Sequence, residues 1–536
     1  MKSIAATITF ALASLLIFAQ RPASPLTFER LRNAPAEPQN WLMYWGNYQG
    51  THFSSLKQID KSNVDRLQDT WTVQMSGRGS LQSTPLVVDG VMYTSGAPGS
   101  VYALEAKTGK EIWKFERAQK VRNPNESNTF NRGVAVMGNR VYAGTLDAAL
   151  IALDRSTGTL VWETQVADTL LGYSITQSPL VLKDRIIVGV AGGEFGIRGF
   201  IDAYDLETGK RLWRFNAIPN PKEFDSDTWK GDSWMRGGGS TWLTGTYDAD
   251  LDTLYWPIGN PGPDIDGTAR PGDNLFSCSV VALDPNTGQR KWHYQFSPHD
   301  THDWDSTEDM ILVDRMFGGQ QRKLLLHADR NGFFYVLDRT NGKFLSATAF
   351  VKQTWNAGFD ANGRPKFVEG SEARPEGSIP VFPSLGGGTN FQSPSYDPAT
   401  GWLIFEYQES GQIYVLTPQE YKAGTQYQGG RQTRVADEPP TAGIRALNPE
   451  TGKIEWETRI TRGSLNNGLI ATGSGLVFAS TSDGNLLVLD AKTGMQLRAI
   501  KLANNMASAP MSYSVEGKQF IGVMAGNVLH GLSLPD

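Results

Sequence analysis

Short apolar runs of strand-forming residues, cut by tight polar turns, recur along the whole chain. Leu86-Val87-Val88 and Val91-Met92-Tyr93 form one such pair, and Val134 to Tyr142 holds another. After each pair comes a fixed punctuation: an aliphatic residue, Asp or a stand-in, Thr-Gly, and an aromatic four positions later. It reads Leu104-Glu105…Thr108-Gly109…Trp113, Leu153-Asp154…Thr157-Gly158…Trp162, and Tyr204-Asp205…Thr208-Gly209…Trp213. It continues as Leu283-Asp284…Thr287-Gly288…Trp292 and Leu447-Asn448…Thr451-Gly452…Trp456. Weaker copies at Leu337-Asp338…Asn341-Gly342 and Leu489-Asp490…Thr493-Gly494 put Ser346 and Arg498 in the tryptophan's place. Each copy predicts strand, turn, strand: Asp caps the turn through its own backbone and Gly supplies the positive φ. Trp71 looks like one more copy without its turn, whereas Tyr396-Asp397…Thr400-Gly401…Phe405 reads as an unrelated hairpin. An all-strand repeat of about 40–80 residues predicts a β-propeller. The count predicts eight blades, with an N-terminal strand closing the ring.

Composition narrows the class. Among 536 residues there are 57 glycines, near 11% against a usual value of about 7%, in keeping with many turns. A net charge of −5 argues against nucleic acid or anionic lipid as the main partner. The one cysteine, Cys278, excludes an intramolecular disulfide, a thiolate zinc site and a C-x-x-C-H haem attachment. We read Cys278 as a small buried residue on a strand. Behind Lys2, the apolar run Ala5 to Ala19 is short for a membrane span and suits a secretory signal. The reading is a signal peptide over 1–23 and one propeller domain over 24–536, exported to the periplasm, with no later membrane span.

Propellers carry chemistry at the mouth of the central channel. Four glycine-rich or polar loops stand out: Gly189 to Glu194, Gly237 to Trp242, Gly259-Asn260-Pro261 and His299 to Asp305. Glu194, Asn260, Asp303 and Asp305 offer only oxygen, which suits a hard cation such as Ca²⁺ over zinc or copper. Glycines flanking Trp242 allow a planar ligand to lie on its ring. His299 and His302 read as loop structure, and Asp264-Ile265-Asp266-Gly267 as a turn.

These loops, in this order and inside this repeat, resemble the pyrroloquinoline-quinone-dependent alcohol dehydrogenases of the methanol and ethanol dehydrogenase type. The likeness runs from Trp41…Tyr44…Gly46 to Met511-Ser512-Tyr513. It implies an eight-bladed propeller, the quinone as cofactor, and one metal ion held by Glu194, Asn260 and Asp303. It implies Asp303 as the base and Arg330, in Asp329-Arg330-Asn331-Gly332, as the cation facing the quinone C5 carbonyl. Trp242 matches the tryptophan on which the quinone stacks; Arg132, Thr176, Gly192, Gly193 and Asn390 match further cofactor positions. The chain also departs from the family. Asn125 to Phe130 lacks the adjacent cysteines often found there, a family Glu is Gln82, and tryptophans are replaced at His302 and Asn466.

The implied reaction is oxidation of a small alcohol or polyol, with hydride transfer to the quinone C5, the metal as Lewis acid and Asp303 taking the hydroxyl proton. With no cytochrome c domain in the sequence, electrons are expected to leave to a separate acceptor, a periplasmic cytochrome c. Asp305, two positions after the base, matches the lanthanide-dependent branch, so the metal is read as a lanthanide(III) ahead of Ca²⁺. The rival readings are a sugar or polyol dehydrogenase of the same superfamily and a non-enzymatic outer-membrane assembly propeller. The second of these gives no reason to gather Glu194, Asn260, Asp303 and Trp242 on one channel.

Overall fold

In the computed structural model, residues 25–77, 81–97, 99–126, 130–460, 467–502 and 505–536 are described. The signal segment 1–23 and Asn466 lie outside them.

Seven four-stranded antiparallel sheets and one five-stranded sheet make eight blades. A typical blade runs Leu86–Val88, Val91–Gly96, Ser100–Glu105, Glu111–Glu116, from a short buried first strand to a half-exposed fourth. Four blades follow in the same way up to Ala349, each made of consecutive strands. The next carries an inserted hairpin, Gln412–Leu416 with Gly430–Arg434, between its second and third strands. The eighth sheet is assembled from both ends of the chain. Gln68–Gln74 pairs with Val528–Ser533 as the outer strand of a blade completed by Lys518–Ala525 and Met511–Val515. The expected closure by an N-terminal strand is therefore present.

The repeat's chemistry is visible in its turns. Asp154 Oδ1 accepts from the backbone N–H groups of Ser156 and Thr157 at 2.9 and 3.0 Å. Gly158 sits at φ +71°, and a Cβ there would lie 2.6 Å from the Trp113 ring. That contact shows what the tryptophans do: each ring packs on the turn of the next blade, not on its own. Trp113 donates to Arg155 O, Trp213 to Pro285 O and Trp456 to Ala491 O, each at 2.9 Å. Trp71 covers Gly109 in the same way. Where the tryptophan is absent, Thr348 lies against Gly452, and Arg498 donates to Val64 O at 2.6 Å. Tyr396 to Phe405 is a different hairpin, joining the first and second strands of its blade. Cys278 is buried at φ +47°, in the turn before Ser279–Leu283 and not on the strand itself.

Topology sorts the loops into two ends. The docking turns join third to fourth strands at one end. The second-to-third connections and the crossings between blades emerge together at the other. All twelve residues singled out above, from Gln82 to Asn390, sit in loops of this second kind. The only α-helix among the described residues is Phe28–Arg32, and none is long and apolar enough to cross a membrane.

One buried histidine makes the fold acid-sensitive. His52 is fully buried between Trp41 and the Leu469 carbonyl, which its Nδ1 meets at 2.7 Å. Burial pulls its pKa down to about 4. The folded state therefore resists protonation, so its stabilising share is complete above the unfolded value of about 6.5 and is lost as pH falls toward 4. Between pH 7 and 4.5 the wild type is expected to lose about 2–3 kcal/mol that His52→Gln does not lose. Melting curves of the two proteins falling in parallel over that range would exclude this.

Candidate functional site

Six crossings between blades and three second-to-third-strand loops carry the twelve candidates. Arg132, Thr176, Gly192, Glu194, Trp242, Asp303, Asp305, Arg330 and Asn390 line one cavity of about 250 Å³, with Phe130, Ala191 and Leu385. Nine of the twelve sequence candidates thus share a wall. Gln82, Gly193 and Asn260 stand outside that lining. A Cβ on Gly193 would come 3.4 Å from Asn260 Oδ1, so these two face each other just behind Glu194. A larger cavity of about 550 Å³, around Thr51, Val313 to Met316 and Pro398 to Gly401, holds none of the candidates.

Arg330 organises the centre. Its Nη1 donates to the Asp303 backbone oxygen at 2.9 Å. Its Nη2 donates to Asp305 Oδ2 at 3.1 Å and to Asn390 Oδ1 at 3.2 Å. Asp303 is held at φ +62°, a left-handed conformation that few non-glycine residues adopt and that Asp tolerates. Asp305 has both oxygens engaged: Oδ1 accepts from Asn260 N at 2.7 Å, Oδ2 also from Trp242 Nε1 at 2.9 Å. A Cβ at Gly259 would stand 2.1 Å from Asp305 Oδ1, so only glycine lets this carboxylate sit so close to the backbone.

The electrostatics follow from crowding carboxylates in a closed space. Burial drives the Asp303 carboxyl well above its usual range; the charges of Asp264, Asp305 and Glu194 push the same way and Arg330 opposes them. Burial and Asp305 raise Glu194. Burial works against the charge of Arg330, but Asp305, Asp303 and Glu308 outweigh it and hold the guanidinium above its usual value. Behind Arg330 lies a group that sequence reasoning missed. Glu308, His327 and Asp329 are buried with donor atoms within 4.8 Å of one another, the one such trio of Asp, Glu, His or Cys among the described residues. Glu308 Oε1 is 3.6 Å from Arg330 Nε, and His327 Nε2 is 3.0 Å from Asp329 Oδ2, so the trio backs the arginine. Glu194, Asp303 and Asp305 face the common cavity without forming such a close trio.

Asp264 lies in the bend that the sequence predicts as a turn, but it is buried, accepting from Asn260 Nδ2 at 3.0 Å. Its place four residues after Asn260 in the same loop was the available signal. Arg132 also departs from expectation. A donor matched to a cofactor's rim belongs at the edge of Trp242, but the guanidinium lies over the indole face, 4.6 Å from its centroid and 4.7 Å from that of Phe391. Burial lowers its pKa to about 10, and the two rings supply the cation–π attraction that keeps it there. A planar ligand on Trp242 therefore uses the opposite face or displaces this side chain. His302 stacks on Trp304 at 4.1 Å and meets Ser371 O at 2.7 Å, a structural role in line with the sequence reading.

The residues suit both groups that the sequence implied. The donors beside Arg330 are carboxylates and an amide, the set a hard cation takes. Arg132, in the cavity wall, has a buried Nε without a partner, and Asp264, bonded to Asn260 through Oδ1, has a buried Oδ2 without one. An aromatic platform with a cation beside it fits a planar anion.

Comparison with known proteins follows the same line. A family model described as "PQQ: Glucose/ethanol/alcohol dehydrogenase, beta-propeller domain" matches residues 41–351 and 364–521. The quinohemoprotein alcohol dehydrogenase ADH IIB of Pseudomonas putida is 38% identical over 506 residues, 91% of this chain and 73% of that protein. The quinoprotein alcohol dehydrogenase PedH of Pseudomonas putida is 35% identical over 545 residues, 96% of this chain and 90% of that protein. A solved europium-containing methanol dehydrogenase superposes with a TM-score of 0.88 at 32% identity, covering 94% of this chain and 92% of that one.

Proposed function

We propose a reaction for this chain from the premise that it belongs to the pyrroloquinoline-quinone-dependent alcohol dehydrogenases, a family of oxidoreductases. The reaction is the oxidation of a small alcohol to an aldehyde or ketone, in the periplasm. The observation that carries it is the shared cavity of Asp303, Arg330 and Trp242, ringed by Glu194 and Asp305. When bound, the quinone supplies the two-electron acceptor and the metal the Lewis acid that activates it.

The chain's own groups do the rest. A carboxylate oxygen of Asp303 takes the proton of the substrate hydroxyl. Arg330 holds the Asp303 backbone and presents positive charge where negative charge develops on the acceptor. Trp242 and Arg132 hold the quinone, with Thr176, Gly192, Gly193, Asn390 and Gln82 around it. Glu194, Asn260, Asp303 and Asp305 hold the metal. Leu385 and Phe130 give the cavity an apolar wall, which suits a small alcohol better than a sugar. The electrons then pass to an acceptor protein, a periplasmic cytochrome c.

The metal is a lanthanide(III), because Asp305 adds a third carboxylate to Glu194 and Asp303, and ligand charge helps set affinity for hard cations. Parallel reconstitution with the quinone and either La³⁺ or Ca²⁺, followed by turnover with an artificial electron acceptor, tests both proposals. The expected result is alcohol oxidation with higher turnover in La³⁺. Full activity with Ca²⁺ and none with La³⁺ overturns the metal assignment. No alcohol oxidation with either ion overturns the reaction.

A further inference from the structure

Asn260 is useful to a cation only through its carbonyl oxygen, yet an amide can turn either end toward a ligand. Its Nδ2 donates to Asp264 Oδ1 at 3.0 Å, with Pro261 O a weaker second acceptor at 3.4 Å. A backbone carbonyl accepts and cannot donate, so the Pro261 contact on the same nitrogen fixes which end of the amide is which. Asn260 Oδ1 is then left on the side of the Gly193–Glu194 turn, where a Cβ on Gly193 would be 3.4 Å away. Meanwhile Asp305 Oδ1 holds the Asn260 backbone N–H at 2.7 Å, so both ends of the residue are pinned by carboxylates.

Asp264 itself is 1% exposed, and its Oδ2 is buried without a hydrogen-bond partner. The nearby guanidinium of Arg270 does not satisfy it. Arg270 donates instead to the backbone oxygens of Pro263, Asp264 and Asp300 and to Asn274 Oδ1. A turn residue has no need of a carboxylate buried this way, among Glu194, Asp303 and Asp305.

We propose that Asp264 is a positioning residue of the metal site, orienting the Asn260 carbonyl toward the ion and bringing the carboxylates around it to four. The proposal rests on the metal assignment above to Glu194, Asn260, Asp303 and Asp305. Partners that orient a metal ligand are typically worth 10–100-fold in affinity. The added charge weighs more for a trivalent than for a divalent ion.

Terbium luminescence in quinone-free protein reads this without turnover. Trp242 Nε1 lies 2.9 Å from Asp305 Oδ2, so excitation through tryptophan reports a Tb³⁺ ion at the site. Ca²⁺ competition gives the second affinity. Asp264→Asn keeps an acceptor for Asn260 and removes the charge; Asp264→Leu removes both. For Asp264→Asn we expect roughly tenfold weaker Tb³⁺ binding with a smaller loss for Ca²⁺, and for Asp264→Leu a loss of about 10–100-fold for both ions. Thermal melts check folding, and the near-isosteric Asn variant decides the matter if the Leu variant does not fold. Wild-type affinities in Asp264→Asn mean a neutral, purely structural carboxyl and overturn the proposal. Equal losses for the two ions in that variant overturn it as well. Wild-type protein that binds neither Tb³⁺ nor Ca²⁺ overturns instead the metal assignment on which it rests.

Discussion

Asp303→Asn is expected to lower turnover by about 10²–10⁴-fold, the usual worth of a positioned general base, while leaving the fold in place. Two features protect the fold. Asn is among the few residues that tolerate a left-handed backbone, which position 303 adopts at φ +62°. And Arg330 grips this residue through its backbone oxygen, which the substitution does not touch. What is lost is the proton acceptor and one negative charge beside Arg330. A thermal melt beside a turnover assay in quinone- and metal-reconstituted protein gives both numbers. Turnover near that of the wild type would mean that another group is the base.

Trp242→Ala is expected to weaken quinone binding by roughly 10²-fold. Loss of the apolar platform accounts for about 2 kcal/mol and loss of stacking for about 1 kcal/mol. The side chain also donates to Asp305 Oδ2 at 2.9 Å and lies under the Arg132 guanidinium, so truncation loosens a metal-site carboxylate and a buried cation together. Trp242→Phe separates these roles, keeping a ring but not the indole donor, and its affinity should fall between the other two. Equilibrium titration with the quinone measures all three. Unchanged affinity in the Ala variant would remove Trp242 from the site.

Most of the fold was legible because its signal is local and repeated. Asp154 and Gly158 make their turn with atoms no more than a few residues apart, so the pattern of residues carries the geometry. The destination of each tryptophan was not legible. Trp113 and Gly109 are neighbours in sequence, but the ring docks on Gly158, and only the stacking of blades decides that. The site divides the same way. Trp242 and Glu194 announced themselves by residue type in glycine-rich loops, and Asp303 and Asp305 in a dense polar one. Asp264 and Glu308 did not, since an acidic residue in a loop looks solvated until the packing of several blades buries it. Arg132 over Trp242 was hidden as well, because only the packing of Trp242 and Phe391 from different blade crossings makes the two-ring seat that its guanidinium occupies.

The seam between Gln68–Gln74 and Val528–Ser533 sets an order of events on the chain's manufacture. Thr70 and Ser533 bond across 463 residues of sequence. Bringing such distant ends together costs on the order of 5 kcal/mol in chain entropy before any contact forms. Blades whose four strands follow one another can form as they are made, but the strand at 68–74 waits until Val528–Ser533 has been made. The loops that carry Arg132 through Asn390 are complete long before then, yet the ring that presses them around one cavity is not. Cofactor capture is thus tied to synthesis of Val528–Ser533, and a chain stopped after Ala525 would keep every site residue while leaving the ring open.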